Sequence, residues 1–332
     1  MKVLVWACGF QKRFAGPYLY KEAKRQGFDV MLTGSRAHPE EMLPVLESYK
    51  PDWVFCFALR PDFRRYYRQI RKSGAKLLFW YPDMTERTRD RMWRRQLANR
   101  ADVLVFSILE TARRYCDLAP TVLWMPQYFD HRSCMKDGAL PTRLDLSKEI
   151  YDLCFIGSTD KIRRKWLNEL SRRYKCKFVL DKIGRPGEIR EWNMAEAYAQ
   201  SKVAFNIQRS LFLNPGPFVV SNRTYNAMGS GVAFINHKVQ NFDYMWEKGT
   251  HCVTHDDTFD DLVRKIDFYL EHDDIREEMA ACGQQNVLRY HTLEQRVIEY
   301  WQVMRAIQES GTLPRIISPN HAGYGMWTQN NE

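Results

Sequence analysis

The feature that most constrains this chain is an alternation of short, unbroken apolar runs with longer amphipathic stretches, which begins at the third residue, lapses once near the middle and then starts again. Apolar runs too short to be helices, each bounded by turn residues, are the signature of strands buried on both faces, and helices between them make a parallel sheet. Strands are predicted at 3–6, 30–33, 53–57, 77–81, 103–107 and 121–124, with helices near 17–26, 38–48, 61–73, 88–97 and 110–117. After Pro126 the pattern loosens, and Asp137-Gly138-Ala139-Leu140-Pro141-Thr142 carries the turn chemistry of a linker. Strands then recur at 153–156, 177–180, 203–206, 233–236 and 252–254, with helices at 162–173, 194–201, 222–228 and 259–270. The reading is α/β, with two Rossmann-like domains.

A length of 332 residues suits two domains, each with its own core. The expected organisation is an N-terminal domain over 1–136, a linker over 137–150, a second domain over 151–290, a helix over 291–310 returning to the first domain, and an extended tail over 311–332. The two last helices, near 275–289 and 293–307, are expected to pack back across the junction. No apolar stretch is long enough for a membrane span, and the run after Met1 is too short for a signal peptide. Eight cysteines without a CxxC pair, several inside strand-like runs, point to a reducing cytoplasm and to no structural zinc.

The net charge of +10 is unevenly distributed. Residues 1–150 carry 27 Lys and Arg against 17 Asp and Glu, so all the excess lies in this half, and residues 60–100 alone hold 13 basic against 4 acidic residues. Arg64, Arg68 and Arg71 fall on one stripe of the predicted helix, opposite Phe63, Tyr67 and Ile70, and Arg91 and Arg94 belong to a second cluster. A field concentrated in this way attracts polyanions, although basic surfaces also serve solubility.

Two segments of the second half have the chemistry of a phosphate site. Phe155-Ile156-Gly157-Ser158-Thr159 ends a strand, and Asp160-Lys161-Ile162-Arg163-Arg164 opens a helix. Small residues there let backbone amides approach an anion, and the helix N-terminus favours negative charge. The same residues read equally as a strand-to-helix turn with a capped start. The second segment is Ser221-Asn222-Arg223-Thr224-Tyr225-Asn226-Ala227-Met228-Gly229-Ser230-Gly231, followed by an apolar strand. It puts Arg223 at a helix start and Asn226 one turn later.

This second segment resembles the donor-binding segment of GT-B glycosyltransferases, and the similarity runs in order through 151–158, 200–207 and the terminal helices. The chain is similar to the CgeB-like members of glycosyltransferase group 1 and, more distantly, to the phage DNA β-glucosyltransferase. The resemblance implies two Rossmann-like domains facing across a cleft, with a nucleotide-sugar donor, a UDP-hexose, held by the second. On that reading Gly157, Ser158 and one of Arg163 or Arg164 contact the diphosphate or nucleoside, Arg223 a phosphate, and Asn226 the ribose. The family usually has Glu where Asn226 stands, so a carboxylate accepting from both ribose hydroxyls is replaced by an amide.

Glycosyl transfer also needs a base for the acceptor proton. Lys76-Leu77-Leu78-Phe79-Trp80-Tyr81-Pro82-Asp83 delivers Asp83 at the carboxyl end of a buried strand, where doubly wound sheets bind ligands. Asp83 is the candidate base; its alternative role is to cap the next helix with Glu86 completing a capping box. Gly9 and Gly16 bracket a loop that borders the acceptor in the family, or are turn residues. No DxD pair is present, and the acidic run 255–261 reads as a helix N-terminus, so no obligatory metal is expected. The basic first half suggests double-stranded DNA as partner and a hydroxymethylated base as acceptor. A surface polysaccharide is the alternative acceptor, and a noncatalytic nucleotide-binding or nucleic-acid-binding protein the alternative function.

Overall fold

The computed structural model describes residues 1–6, 15–33, 39–57, 64–81, 100–139, 150–181, 191–207, 220–239, 242 and 245–311. Of the sequence expectations, Gly9, Asp83, Arg91, Arg94, the helix at 88–97 and the tail lie outside these residues. The chain forms two compact units, the first made of Met1–Pro126 with the segment from Leu293, the second of Gln127–Thr292. The first unit thus closes before the boundary expected at 136. Of the two terminal helices, the one from Leu293 belongs to the first unit and its predecessor to the second.

In the first unit, strands β1 (Val3–Trp6), β2 (Val30–Thr33), β3 (Trp53–Phe57), β4 (Lys76–Tyr81), β5 (Val103–Phe106) and β6 (Thr121–Trp124) form one parallel sheet in the order β2-β1-β3-β4-β5-β6. Every residue of β1, β3 and β5 is buried, as expected of strands covered on both faces. Helices α1 (Ala15–Arg25), α2 (Met42–Tyr49), α3 (Arg64–Lys72) and α4 (Leu109–Arg114) alternate with the strands. Helix α1 turns Leu19 and Ala23 inward and ends on Gly27, whose φ of +77° lets Phe28 N–H reach back to the Ala23 carbonyl at 3.0 Å. That closure sets the Phe28 ring flat on Trp301 of the last helix, 4.9 Å between centroids. Tyr300 of the same helix packs edge-on to Phe55 of β3, and Glu294 pairs with Arg25 at 2.9 Å, so the final helix is a full member of this core.

In the second unit, strands β7 (Tyr151–Ser158), β8 (Cys176–Asp181), β9 (Ser201–Phe205), β10 (Ala233–His237) and β11 (Val253–His255) run parallel in the order β11-β10-β9-β7-β8. The helices are α5 (Lys161–Ser171), α6 (Glu191–Ala199), α7 (Asn222–Gly229), α8 (Phe259–Glu271) and α9 (Asp273–Tyr290), with α10 (Leu293–Ser310) passing to the first unit. Leu153, Phe155, Val203, Phe205, Ala233 and Ile235 make the sheet side of the core, and Leu167, Leu170, Leu262, Ile266 and Met279 the helix side. Gly229 is the last residue of α7, and the position demands glycine because a Cβ there would lie 2.3 Å from the buried Phe129 ring. The acidic run caps α8 as read from sequence: Thr258 Oγ1 accepts from Asp261 N–H, and Asp260 and Asp261 fill the first turn.

The chain leaves β7 to make β8 on one side and returns to place β9 on the other. The point where the winding reverses therefore falls between β7 and β9, and loops diverge there at the carboxyl ends. Among the described residues the seven cysteines form no disulfide, and burial pushes the Cys154 and Cys176 thiols up to about 12, which removes them as nucleophiles.

Candidate functional site

The end of β7 is a glycine for a steric reason. Gly157 has φ +154°, and a Cβ on it would lie 1.9 Å from Nη2 of Arg223. The guanidinium of Arg223 therefore lies across the bare backbone at the winding reversal. Its Nε donates to the Ile156 carbonyl at 2.5 Å, its Nη1 donates to Oδ1 of Asn206, and its carbon sits 4.4 Å from the centre of the Phe155 ring. Burial pushes its pKa down. Among the described residues no carboxylate pairs with it. The Nη2 edge over Gly157 is the part of the fork left for a ligand, and a planar guanidinium there matches phosphate oxygens.

The two helix starts of this edge differ. Asp160 caps α5, its Oδ1 accepting from Ile162 N–H at 3.0 Å and Arg163 N–H at 2.9 Å. The anion-attracting start expected at Asp160 is thus already occupied by the protein's own carboxylate, which repels a second anion. Helix α7 has Ser221 at its N-cap but no side-chain cap. The Ser221 hydroxyl instead accepts from Nδ2 of Asn206 at 3.3 Å, and the amides of Asn222 and Arg223 find no acceptor among the described residues. The start of α7, with Arg223 in its first turn, is the open one.

Asn206 follows β9 directly, at the other side of the winding reversal, and is buried. Besides Ser221, its Nδ2 lies 3.1 Å from Asn236 Oδ1 and 2.9 Å from Nδ1 of His237, both at the end of β10. Its carbonyl takes a hydrogen bond from Nε2 of His255 at 2.8 Å; Nδ1 of His255 accepts from Asp257 N–H at 3.1 Å, which fixes the neutral tautomer. Burial holds His237 and His255 below the usual histidine range, and the nearby charges of Arg223 and Arg163 push His237 further down. Asp257 has φ +69°, and burial raises its carboxyl to about 6.

The other sequence candidates fall in several places. Arg163 is buried, its Nε donating to the Ile207 carbonyl at 2.8 Å, so it braces the loop after β9. Arg164 is exposed on α5. Asn226 is half-buried on α7, one turn beyond Arg223, with Nδ2 3.5 Å from the Met194 sulfur. The Ser158 and Arg64 side chains lie outside the described residues. Gly16 is buried within α1, and Arg68 and Arg71 are exposed on α3 opposite buried Tyr67 and Ile70. Sequence reasoning missed Asn206, Asn236, His237 and His255; their signal is a polar residue closing an otherwise apolar strand.

Among the described residues no group of three or more His, Cys, Asp or Glu side chains converges as a metal site. No described helix is long and apolar enough to cross a membrane.

Residues 148–302 match the family described as glycosyl transferase-like, which spans most of the second unit. No curated protein sequence matches the chain. Solved structures with the same fold include sucrose-phosphate synthase from Thermosynechococcus elongatus, with a TM-score of 0.63 at 11% identity over 93% of this chain and 99% of that one. Anabaena HepE, solved in complex with UDP and glucose, gives a TM-score of 0.57 at 11% identity over 91% and 99%. A UDP-N-acetylglucosamine 2-epimerase assignment from Listeria monocytogenes gives 0.56 at 10% identity over 95% and 98%. At such identities the likeness establishes the fold, two parallel α/β units of the GT-B kind.

Proposed function

We propose that this chain, a glycosyltransferase by the family match of its second unit, binds a nucleoside diphosphate-sugar at the winding reversal of that unit and transfers the sugar to an acceptor hydroxyl. The observation that carries the reading is Arg223: a half-buried cation that no carboxylate among the described residues pairs, laid over the bare backbone of Gly157 beside an uncapped helix start. A diphosphate supplies the missing anion, and the α7 amides and the Nη2 edge supply donors already in place. Asn226, one turn along the same helix, is assigned a ribose hydroxyl, and a UDP-hexose is the donor favoured. Gly157 and Ser158 line the phosphates. Arg163 acts behind them by fixing Ile207, and the exposed Arg164 is the less suited of the two neighbours.

In the reaction the acceptor oxygen attacks the anomeric carbon while the bond from that carbon to the diphosphate breaks. The electron pair leaves on the diphosphate, where Arg223 and the helix start stabilise it. The hydroxyl proton passes to a carboxylate, for which Asp83 is assigned. Chemistry of this kind asks nothing of a thiol, in keeping with the raised Cys154 and Cys176.

The acceptor is proposed to be a hydroxymethylated base in double-stranded DNA. Supporting it is the charge: the excess of +10 lies wholly in residues 1–150, and Arg68 and Arg71 stand exposed on one side of α3. Arg64, Arg91 and Arg94 extend the same basic content in sequence, and Gly9 and Gly16 are assigned to the acceptor side. The test is incubation of the protein with hydroxymethylated DNA and a panel of nucleotide sugars, followed by mass spectrometry of the released nucleosides. A hexosylated hydroxymethyl nucleoside is the expected product. Donor consumption with an unmodified nucleoside pool contradicts the DNA acceptor and turns the search to polysaccharides. Absence of any donor turnover or binding contradicts the enzyme reading itself.

A further inference from the structure

We infer that Asn206 is the positioning residue of the donor-phosphate site, holding Arg223 over Gly157 and drawing the Ser221 hydroxyl away from the start of α7 so that its amides stay open for phosphate. The inference rests on the donor site proposed above and adds a device that the Arg-Asn segment of α7 does not contain. Arginine forks are flexible, and a guanidinium left to itself spreads over many rotamers. Here the Asn206 Oδ1 takes Nη1 and the Ile156 carbonyl takes Nε, which leaves Nη2 as the edge over the bare backbone.

The second half of the device concerns the cap. Serine at an N-cap ordinarily turns its oxygen onto the amides two and three residues ahead. Ser221 does not, because its oxygen accepts from Asn206 Nδ2 instead. A single amide thus aims the cation with its oxygen and keeps the helix start vacant with its nitrogen.

Asn206 is itself held in that sense. Its two amide protons are shared among three neighbours, His237 Nδ1, Asn236 Oδ1 and, at the longest distance, the Ser221 hydroxyl, while Nη1 of Arg223 can only donate, so the amide is oriented with its oxygen toward Arg223. Its backbone is fixed through His255, whose tautomer Asp257 sets. His237 and His255 are charged-form averse for the reasons given above, and the groups bearing on His237 are Arg163, Arg223 and His255. Protonation of His237 turns its Nδ1 from acceptor to donor and turns the Asn206 amide out of register.

The experiment compares binding of UDP and of uridine by the full chain, followed by ligand-observed NMR, for the wild type and for Asn206→Ala. Loss of an aimed, charge-assisted contact corresponds to about a tenfold weaker UDP affinity, with uridine within about twofold. Removing the freed cap in the double variant Asn206→Ala/Ser221→Ala restores part of the UDP affinity. Unchanged UDP binding, equal weakening of UDP and uridine, or no recovery in the double variant overturns the inference. Should Asn206→Ala not fold, Asn236→Ala removes one orienting acceptor, and a weakening of about threefold confined to UDP is expected, with no change overturning the inference. A wild type that binds no nucleoside diphosphate defeats the donor reading instead, and is told apart because it precedes any variant.

Discussion

The two sheets share a winding pattern but close their strands differently. In the first unit β1, β3, β4, β5 and β6 end on Trp6, Phe57, Tyr81, Phe106 and Trp124, aromatic rings of which all but Tyr81 are buried in the core. In the second, the corresponding edge ends on or next to Gly157, Asn206, His237 and His255, all polar or bare, three of them buried and hydrogen-bonded. The same topology can therefore carry a site in the strand ends themselves or leave it to the loops beyond. A diphosphate needs fixed donors at short range, which strand ends and helix starts provide. An acceptor needs shape and a base, which loops provide.

The sharpest way to break this division is to remove the proposed base. Asp83→Asn is expected to lower sugar transfer by about a hundredfold to ten-thousandfold, the usual contribution of a general base, while UDP affinity stays within twofold of wild type, about the scatter of such measurements. Loss of UDP affinity in that variant, or full activity, contradicts the separation of roles.

Next in size is Gly157→Ala. The new methyl enters the space of Arg223 Nη2, so the guanidinium must leave its place over the backbone, and φ of +154° strains the residue as well. UDP affinity measured by calorimetry is expected to fall by about tenfold or more. In the first unit, Gly27→Ala meets open space and strains only its own φ, with UDP binding unaffected.

The buried histidines predict a pH dependence that belongs to the second unit. Their folded pKa values lie below the ordinary 6.5, so the folded state binds fewer protons than the unfolded chain once the pH drops under that value. Stability is full above about pH 7 and falls below 6.5 by up to about 1.4 kcal/mol per pH unit for each histidine, until the folded values are reached. Asp257, raised from 3.8 to about 6, works in the opposite sense: it takes up a proton in the folded state first and offsets part of the loss between those values. Denaturant melts between pH 7.5 and 5 check the slope, and replacing His237 with a non-titrating residue flattens it.

Asp160→Ala gives the smallest effect. Loss of the α5 cap is expected to cost about 1 kcal/mol of stability by denaturant unfolding, with UDP affinity unchanged or slightly raised because a carboxylate is gone from that edge. A large fall in UDP affinity places the phosphate at α5 after all.

Much of this was legible in the sequence, because strands buried on both faces must be apolar throughout and helices between them amphipathic. Gly157 and Arg223 were legible for local reasons, a glycine after an apolar strand and an arginine at a helix start. Asn206 was not, because its role depends on β9 returning beside β7, a pairing that strand order along the chain does not reveal. Asp160 was visible as a helix start, and a capped start was one of its two readings, but which side chain turns onto the Ile162 and Arg163 amides is a matter of local geometry that the residue order leaves open. The passage between units at Pro126 was hidden too. Phe129 N–H is held by the His291 carbonyl at 2.7 Å, a contact from the far end of the chain that claims residues 127–139 for the second unit.

The central claim is that the phosphates of a nucleoside diphosphate rest on Arg223 in the second unit, and calorimetric titration of UDP into the full chain and into Arg223→Ala tests it most directly. The account predicts saturable binding by the wild type, weakened at least about tenfold in the variant, since a charge-assisted pair is lost. Equal UDP affinities in the two proteins contradict it.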